Sequence, residues 1–154
     1  MRGPVLLALA ALALLPRPAA AQLAERQMLT LAAVKRVAAA AGAEAVRNNW
    51  NVVIAIVDDA GHPLWLQRMD GVQIASIEVA LAKARTAALY RRPTRAFAEA
   101  ISGGNQLMAM LPDVMPLEGG VPIIVNGQVL GAVGVSGVTA QQDGVIAAAG
   151  IAAL

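Results

Sequence analysis

The sequence predicts an α+β fold in which one antiparallel sheet is backed by helices. Two segments alternate apolar runs with turn residues, as β-hairpins do. Helical periodicity occupies the stretches between and after them, and no proline- or serine-rich linker divides the chain. Because two hairpins supply too few strands for a sandwich of two sheets, we expect them to join in a single sheet.

The first half of the chain predicts a helix followed by a hairpin. Apolar residues within 30–47 recur at spacings of three and four, as in an amphipathic helix, and Asn48-Asn49 ends this pattern. Val52–Val57 is a continuous apolar run rich in β-branched residues, which is typical of a strand covered on both faces. Residues 58–61 (Asp-Asp-Ala-Gly) have the chemistry of a turn, and a second strand follows at Leu64-Trp65-Leu66.

The middle of the chain predicts two helices. Residues 77–90 have a strong helical pattern, with Ser76 as a candidate N-cap. Pro93 ends this helix, and Thr94 can cap a short helix that follows. Residues 102–105 (Ser-Gly-Gly-Asn) then break the chain before a brief helical turn.

The strongest hairpin signal lies near the C-terminus. Two apolar runs, Val121–Val125 and Val129–Val135, flank Asn126-Gly127, which supplies the two positive-φ residues that a tight turn needs. Thr139 and Gln142 have the spacing of a capping box. We therefore predict a second hairpin and a final helix that begins near Thr139.

The N-terminal segment has the features of a secretory signal peptide. Arg2 precedes an uncharged apolar run, Val5–Leu15, and Ala19-Ala20-Ala21 forms a small-residue cleavage site. The apolar run is too short to span a bilayer, which takes about 20 residues. We predict cleavage after Ala21, export to the periplasm or the medium, and a single domain over residues 22–154.

Composition excludes several classes of function. The chain has 12 Lys and Arg against ten Asp and Glu, and the predicted cleavage removes Arg2 and Arg17, so the mature chain is formally neutral. Nucleic acid is an unsuitable partner because no basic surface is predicted beyond the local cluster Arg91, Arg92 and Arg95, which is typical of a solvated helix end. The chain has no cysteine and one histidine, which excludes disulfides, thiolate metal sites and metal sites built from two or three histidines. The apolar fraction of 58% predicts a further buried surface and hence a homo-oligomer.

Several short motifs follow one another along the chain. They are Asp58-x-Ala60-Gly61, Arg68-Met69-Asp70-Gly71, Lys83-Ala84 with Thr86-Ala87, Pro93-Thr94, Gly119-Gly120-Val121-Pro122, Gly134-Val135-Ser136-Gly137 and Gln142-Asp143. This series resembles the GlcG/HbpS-like family and the related C-terminal domain of PduO proteins, over residues 30–154. The resemblance implies a profilin-like or PAS-like antiparallel sheet of about five strands flanked by helices. It also implies assembly into dimers or larger rings and, for some members, binding or degradation of haem, or redox sensing outside the cell.

Haem binding requires an axial ligand, for which the sequence offers histidine, tyrosine and methionine candidates. His62 is the single histidine, but its turn sequence fits an exposed turn residue better than a ligand. Tyr90 can ligate ferric iron through its phenolate, although the end of a helix favours a packing role. The methionines Met69, Met108, Met110 and Met115 can supply thioether ligands or a soft apolar pocket, and more often fill cores.

Polar residues and glycines form a second set of candidates. The predicted ligand-binding residues are Arg68, Met69, Asp70, Lys83, Gly119, Gly120, Pro122, Ser136, Gly137 and Asp143. Lys83 can pair with a carboxylate such as Asp70, either as a buried ion pair or as part of a ligand site. The fork of Arg68 suits a carboxylate, and the backbone around Ser136-Gly137 suits an anion or simple helix capping.

Two functions from different classes are consistent with these residues. The first is an exported protein that binds haem or another tetrapyrrole for storage, sensing or degradation. The alternative is a metal-independent enzyme for a small molecule, with Lys83, Asp70 and Glu118 as acid and base. The family resemblance favours the first.

Overall fold

The computed structural model describes residues 26–154, so the predicted signal peptide and its cleavage site lie outside the described residues. The helices are α1 (Leu31–Arg47), α2 (Ser76–Tyr90), α3 (Thr94–Ser102) and α4 (Ala140–Ile151), with a short 3-10 helix at Gln106–Met110. The strands are β1 (Val53–Asp58), β2 (Pro63–Arg68), β3 (Gly120–Val125) and β4 (Gln128–Ser136). Among the described residues, no helix has the length and apolarity to cross a membrane.

Both hairpins lie in one antiparallel sheet with the order β2-β1-β4-β3. The predicted α+β class is therefore confirmed. The expectation of about five strands is wrong, because within residues 26–154 the two hairpins supply four strands and the chain between them is helical or irregular. The second turn is made by Asn126 and Gly127 with φ values of 50° and 77°, as the sequence predicted.

The sheet separates two helical layers. Alternate residues of β1 contact opposite layers: Ile54 and Ile56 pack in the core with α1 and α4, whereas Val53, Ala55 and Val57 pack with α2. This explains why β1 is apolar along its whole length. The second layer is thin because α2 contacts the sheet through alanines, of which Ala80, Ala84 and Ala87 are fully buried.

One of the three predicted helix caps is confirmed and two are wrong. Thr139 forms the predicted capping box with Gln142. The structure adds a cap at Thr30, which accepts a hydrogen bond from the backbone N–H of Ala33. The predicted caps Ser76 and Thr94 lie inside their helices, whose N-caps are Ala75 and Pro93. Both side chains are buried. Their hydroxyls bond to the sheet instead, Ser76 to the Ser136 hydroxyl and Thr94 to the backbone of Gly120.

Candidate functional site

The one buried ion pair in the described part of the chain joins the two helical layers. Lys83 of α2 is 2% exposed. Its Nζ donates to Asp143 Oδ2 of α4 at 2.7 Å and to the backbone oxygen of Val135 at 2.9 Å. Because α2 and α4 cover opposite faces of the sheet, this pair acts as a clamp around the end of the sheet where β4 ends and β3 begins.

Two of the predicted glycines make this clamp sterically feasible. A Cβ atom added at Gly119 would lie 2.8 Å from Lys83 Nζ and 2.8 Å from the Cβ of Asp143. A Cβ atom added at Gly120 would overlap the backbone oxygen of Lys83 and approach the Thr94 side chain to 2.6 Å. The glycines therefore serve close packing around the ion pair, and Gly119 also has a positive φ of 127°.

Asp143 lies in the first turn of α4, where its second carboxylate oxygen accepts a hydrogen bond from the Val138 N–H at 3.3 Å. Burial raises the pKa of Asp143, and the hydrogen bond from Lys83 opposes that rise without cancelling it. The carboxylate and the amine are both enclosed and satisfied by protein groups. This arrangement suits a structural ion pair. Because the Lys83 amine does not face solvent, it is not placed to exchange a proton with a bound small molecule.

The raised pKa predicts a pH dependence of stability. Between the ordinary carboxyl pKa of about 3.9 and the raised value, the folded protein holds a proton on Asp143 that the unfolded chain has lost. The stabilising contribution of Asp143 is therefore full below about pH 4 and decreases as the pH rises through the raised pKa. We expect the wild type to lose stability relative to Asp143→Asn over that interval, measured by urea unfolding at a series of pH values. A relative gain with rising pH would show that Lys83 outweighs burial.

Glu118 directly precedes Gly119 in the chain and lies against α4. A Cβ atom added at Gly144 would lie 2.8 Å from the Glu118 Oε1 atom, so the carboxylate lies against the backbone of α4. A cleft of about 170 Å³ opens there. It is lined by Pro93, Arg95, Glu118, Gly119, Gly120, Val121, Gly144 and Ala148. Gly119 and Gly120 form the floor of this cleft, and Lys83 lies beneath them. Pro122 is buried in β3 and does not line the cleft.

The structure corrects the expected partner of Lys83. Asp70 lies in the exposed turn after β2, and Asp143 takes the place expected for it. Arg68 is exposed, and Met69 is half-buried against the core under α1 and α4. Arg68 and Ser136 both pair with Val53, so they occupy one row across three strands. Only Arg68 of this row is exposed, because Val53 and Ser136 are buried, so the predicted ligand-binding residues do not share one surface.

The sequence suggested that backbone N–H groups at the start of α4 could bind an anion. These groups instead donate hydrogen bonds to side chains of the protein itself. Asp143 accepts from Val138, and Gln142 accepts from Thr139 at 3.2 Å. Gly137 lies tightly against the backbone of Asn51, which a side chain at this position would overlap. The start of α4 is thus a capped helix terminus.

The two haem-ligand candidates lie away from the clamp and differ from each other. His62 is in the β1–β2 turn with 77% of its side chain exposed, and its Nδ1 lies 3.4 Å from Asp58 Oδ2. Tyr90 ends α2, where its hydroxyl donates to the backbone oxygen of Pro112 at 2.6 Å. The phenol also packs edge-on against Phe97. Tyr90 therefore has a structural partner, whereas the imidazole of His62 projects into solvent.

The methionine candidates do not form a common pocket. Met110 is exposed on the 3-10 helix, Met108 is half-buried there, and Met69 packs beneath the other layer. Met115 is held by Thr86, whose Oγ1 accepts from the Met115 N–H at 2.9 Å. Thr86 was not recognised as a site residue in the sequence, although its position three residues after Lys83 places both on the buried side of α2.

Comparison with known proteins decides the family. A sequence model described as "haem degrading protein HbpS-like" matches residues 29–152. The chain belongs to the HbpS-like family. Among relatives of this HbpS-like chain, protein GlcG of Escherichia coli K12 is 48% identical over 98 residues, which cover 64% of this chain and 73% of GlcG.

Solved structures agree with the HbpS-like assignment. A double mutant of Streptomyces reticuli HbpS is 32% identical and superposes with a TM-score of 0.79, over 90% of this chain and 97% of that one. The PduOC:haem complex is 27% identical with a TM-score of 0.76, over 83% of this chain and 96% of that one. The family resemblance noted in the sequence is therefore confirmed.

Proposed function

We propose that this HbpS-like protein binds haem or a closely related tetrapyrrole. The observation that carries the proposal is its likeness to the PduOC:haem complex, at 27% identity and a TM-score of 0.76 over nearly all of that chain. The description of the matching family as haem-degrading supports the same ligand class. The acid–base alternative has less support, because Lys83 is enclosed and paired with Asp143.

The residues of this chain fit an iron porphyrin at His62. Histidines that bind metals usually direct their other ring nitrogen to a carboxylate or carbonyl, which fixes the tautomer. The Asp58 carboxylate lies near this nitrogen, with Oδ2 3.4 Å from Nδ1, and 77% of the His62 side chain is exposed, so Nε2 would be the nitrogen that binds iron. Asp58 also accepts the backbone N–H of His62 at 2.8 Å, which holds the turn. Tyr90 fits less well, because ligation would break its hydrogen bond to Pro112.

Bound haem supplies redox chemistry at its iron, and the protein holds, orients and shields it. Storage, sensing and degradation are each consistent with such binding, and export would place the protein where it meets haem outside the cytoplasm. Cleavage after Ala21 and assembly into a homo-oligomer stay predictions from the sequence.

Titration of residues 22–154 with haemin, followed by absorbance, tests the proposal. We expect saturable binding, and we expect His62→Ala to lose the absorbance maximum of the ligated iron, with recovery on addition of free imidazole. Tyr90→Phe should keep the wild-type maximum, because its phenol is not the predicted ligand. Binding by the wild type that is no tighter than binding by an unrelated apolar protein would contradict the proposal.

A further inference from the structure

We infer that the tetrapyrrole lies on the outer face of α2, between the Gly61-His62 turn and the segment Asp113–Met115. This inference rests on the proposed function and adds a location, a carboxylate-binding residue and an apolar wall. It adds Arg85 and Leu89, which the sequence motifs did not single out. Three features of the structure carry it, and each concerns a different part of the ligand.

The first feature is the guanidinium of Arg85, which lies next to the turn that carries His62. Its Nε donates to the backbone oxygen of Gly61 at 3.2 Å. In the described part of the chain, Arg85 forms no ion pair with a carboxylate. The two terminal nitrogens of its fork are therefore available for a carboxylate, such as a propionate of a porphyrin.

The second feature is an exposed leucine on the same face. Leu89 follows Arg85 by one helical turn and is 46% exposed. A Cβ atom added at Gly61 would lie 3.4 Å from the Arg85 side chain and 3.8 Å from that of Leu89. An apolar side chain and a guanidinium that has no carboxylate partner among the described residues thus lie against Gly61, the neighbour of His62 in the chain. Recognition of an apolar ring with acidic substituents requires both kinds of group.

The third feature is a wall formed by the segment before β3. The backbone oxygen of Asp113 lies 3.0 Å from the Thr86 hydroxyl, which also accepts from the Met115 N–H. Tyr90 binds the adjacent Pro112 oxygen. These bonds hold the segment against α2 and leave a cleft of about 260 Å³. The cleft is lined by Ala82, Arg85, Asp113, Val114 and Met115.

Arg85 connects the three features, since it contacts the turn and also lines the cleft. A helix with its side chains is about 10 Å wide, which is comparable with a porphyrin ring. A ring that spans the outer face of α2 would place its metal near His62, a carboxylate at Arg85, and apolar edges against Leu89 and Met115. Each contact is formed by a side chain that is exposed or half-buried.

Two variants with matched controls test the location. Arg85→Gln and Leu89→Lys are compared with Arg36→Gln and Val46→Lys, which change exposed residues of α1 on the opposite layer. Affinity is measured for haemin by absorbance and for metal-free protoporphyrin IX by fluorescence. We expect both α2 variants to bind both ligands about tenfold more weakly, because each loses one principal contact. We expect both controls to bind as the wild type does, with folding checked by circular dichroism.

The metal-free ligand separates this inference from the proposed function. His62→Ala should weaken haemin binding and leave protoporphyrin binding nearly unchanged, since only haemin has iron to ligate. Wild-type affinity for both ligands in both α2 variants would overturn the location and leave haem binding intact. Absence of saturable binding of either ligand to the wild type would overturn both proposals.

Discussion

Replacement of Lys83 by methionine is expected to lower the free energy of unfolding by about 3–5 kcal/mol. Methionine has nearly the length of lysine, so it fills the space but cannot neutralise Asp143. The Asp143 carboxylate then either remains charged in the core or takes up a proton at a cost that grows with pH. Because Asp143 is 2% exposed, water cannot replace the lost ammonium group. Urea unfolding at pH 7 measures the effect.

The double variant Lys83→Met/Asp143→Asn identifies the cause of that loss. Asparagine keeps an oxygen for the Val138 N–H and removes the charge. We expect the double variant to recover a large part of the lost stability, because replacing both partners of a buried pair costs far less than removing one. Lys35→Met, at an exposed position of α1, should change stability by less than about 0.5 kcal/mol. Equal losses in the Lys83→Met single variant and the double variant would show that packing, and not charge, is what Lys83 supplies.

Gly134→Ala is expected to destabilise the protein by about 3 kcal/mol or more. A Cβ atom at this position of β4 would overlap the backbone oxygen of Ala80 and lie 2.5 Å from the backbone nitrogen of Ala84. Both atoms belong to the backbone of α2, so no side-chain rotation can relieve the overlap. The helix would have to move away from the sheet, which would open the alanine-rich contact along its length. Thermal unfolding followed by circular dichroism measures the loss.

Gly42→Ala is the matched control, and its effect should have the opposite sign. Gly42 lies inside α1, where an added Cβ atom would meet only a side-chain nitrogen of Gln67, at 3.9 Å. Alanine is favoured over glycine inside helices by about 0.5–1 kcal/mol. The control should therefore raise the unfolding temperature. Similar unfolding temperatures for Gly134→Ala and the wild type would mean that α2 tolerates a shift from the sheet.

Many residues of the family motifs serve the fold and not the proposed ligand. Lys83, Asp143 and Gly119 form the clamp, and Gly134 allows the close approach of α2. By contrast, Arg85 and Leu89, which we place at the ligand, lie outside the motifs. Motifs of this kind therefore define the architecture more firmly than they define the activity.

The elements of this protein and their order were predictable from local sequence patterns. The Asn126-Gly127 turn, the Thr139–Gln142 capping box and the apolar run of β1 were all recognisable because each depends on neighbouring residues. The caps at Ser76 and Thr94 were mispredicted because tertiary burial directs both hydroxyls to the sheet. The strand count was overestimated because it came from family resemblance, beyond what the two hairpins supply.

Which charged groups meet depends on how the helices pack on the sheet. Lys83 finds Asp143 across 60 positions of sequence, and not Asp70, which is much nearer along the chain. Arg85 meets the backbone of Gly61 across 24 positions and so comes to lie beside His62. Periodicity and capping report on which face of an element a residue occupies, but the partner on that face depends on how whole helices pack on the sheet. The clamp and the proposed ligand surface both result from that packing, so local sequence patterns could not reveal them.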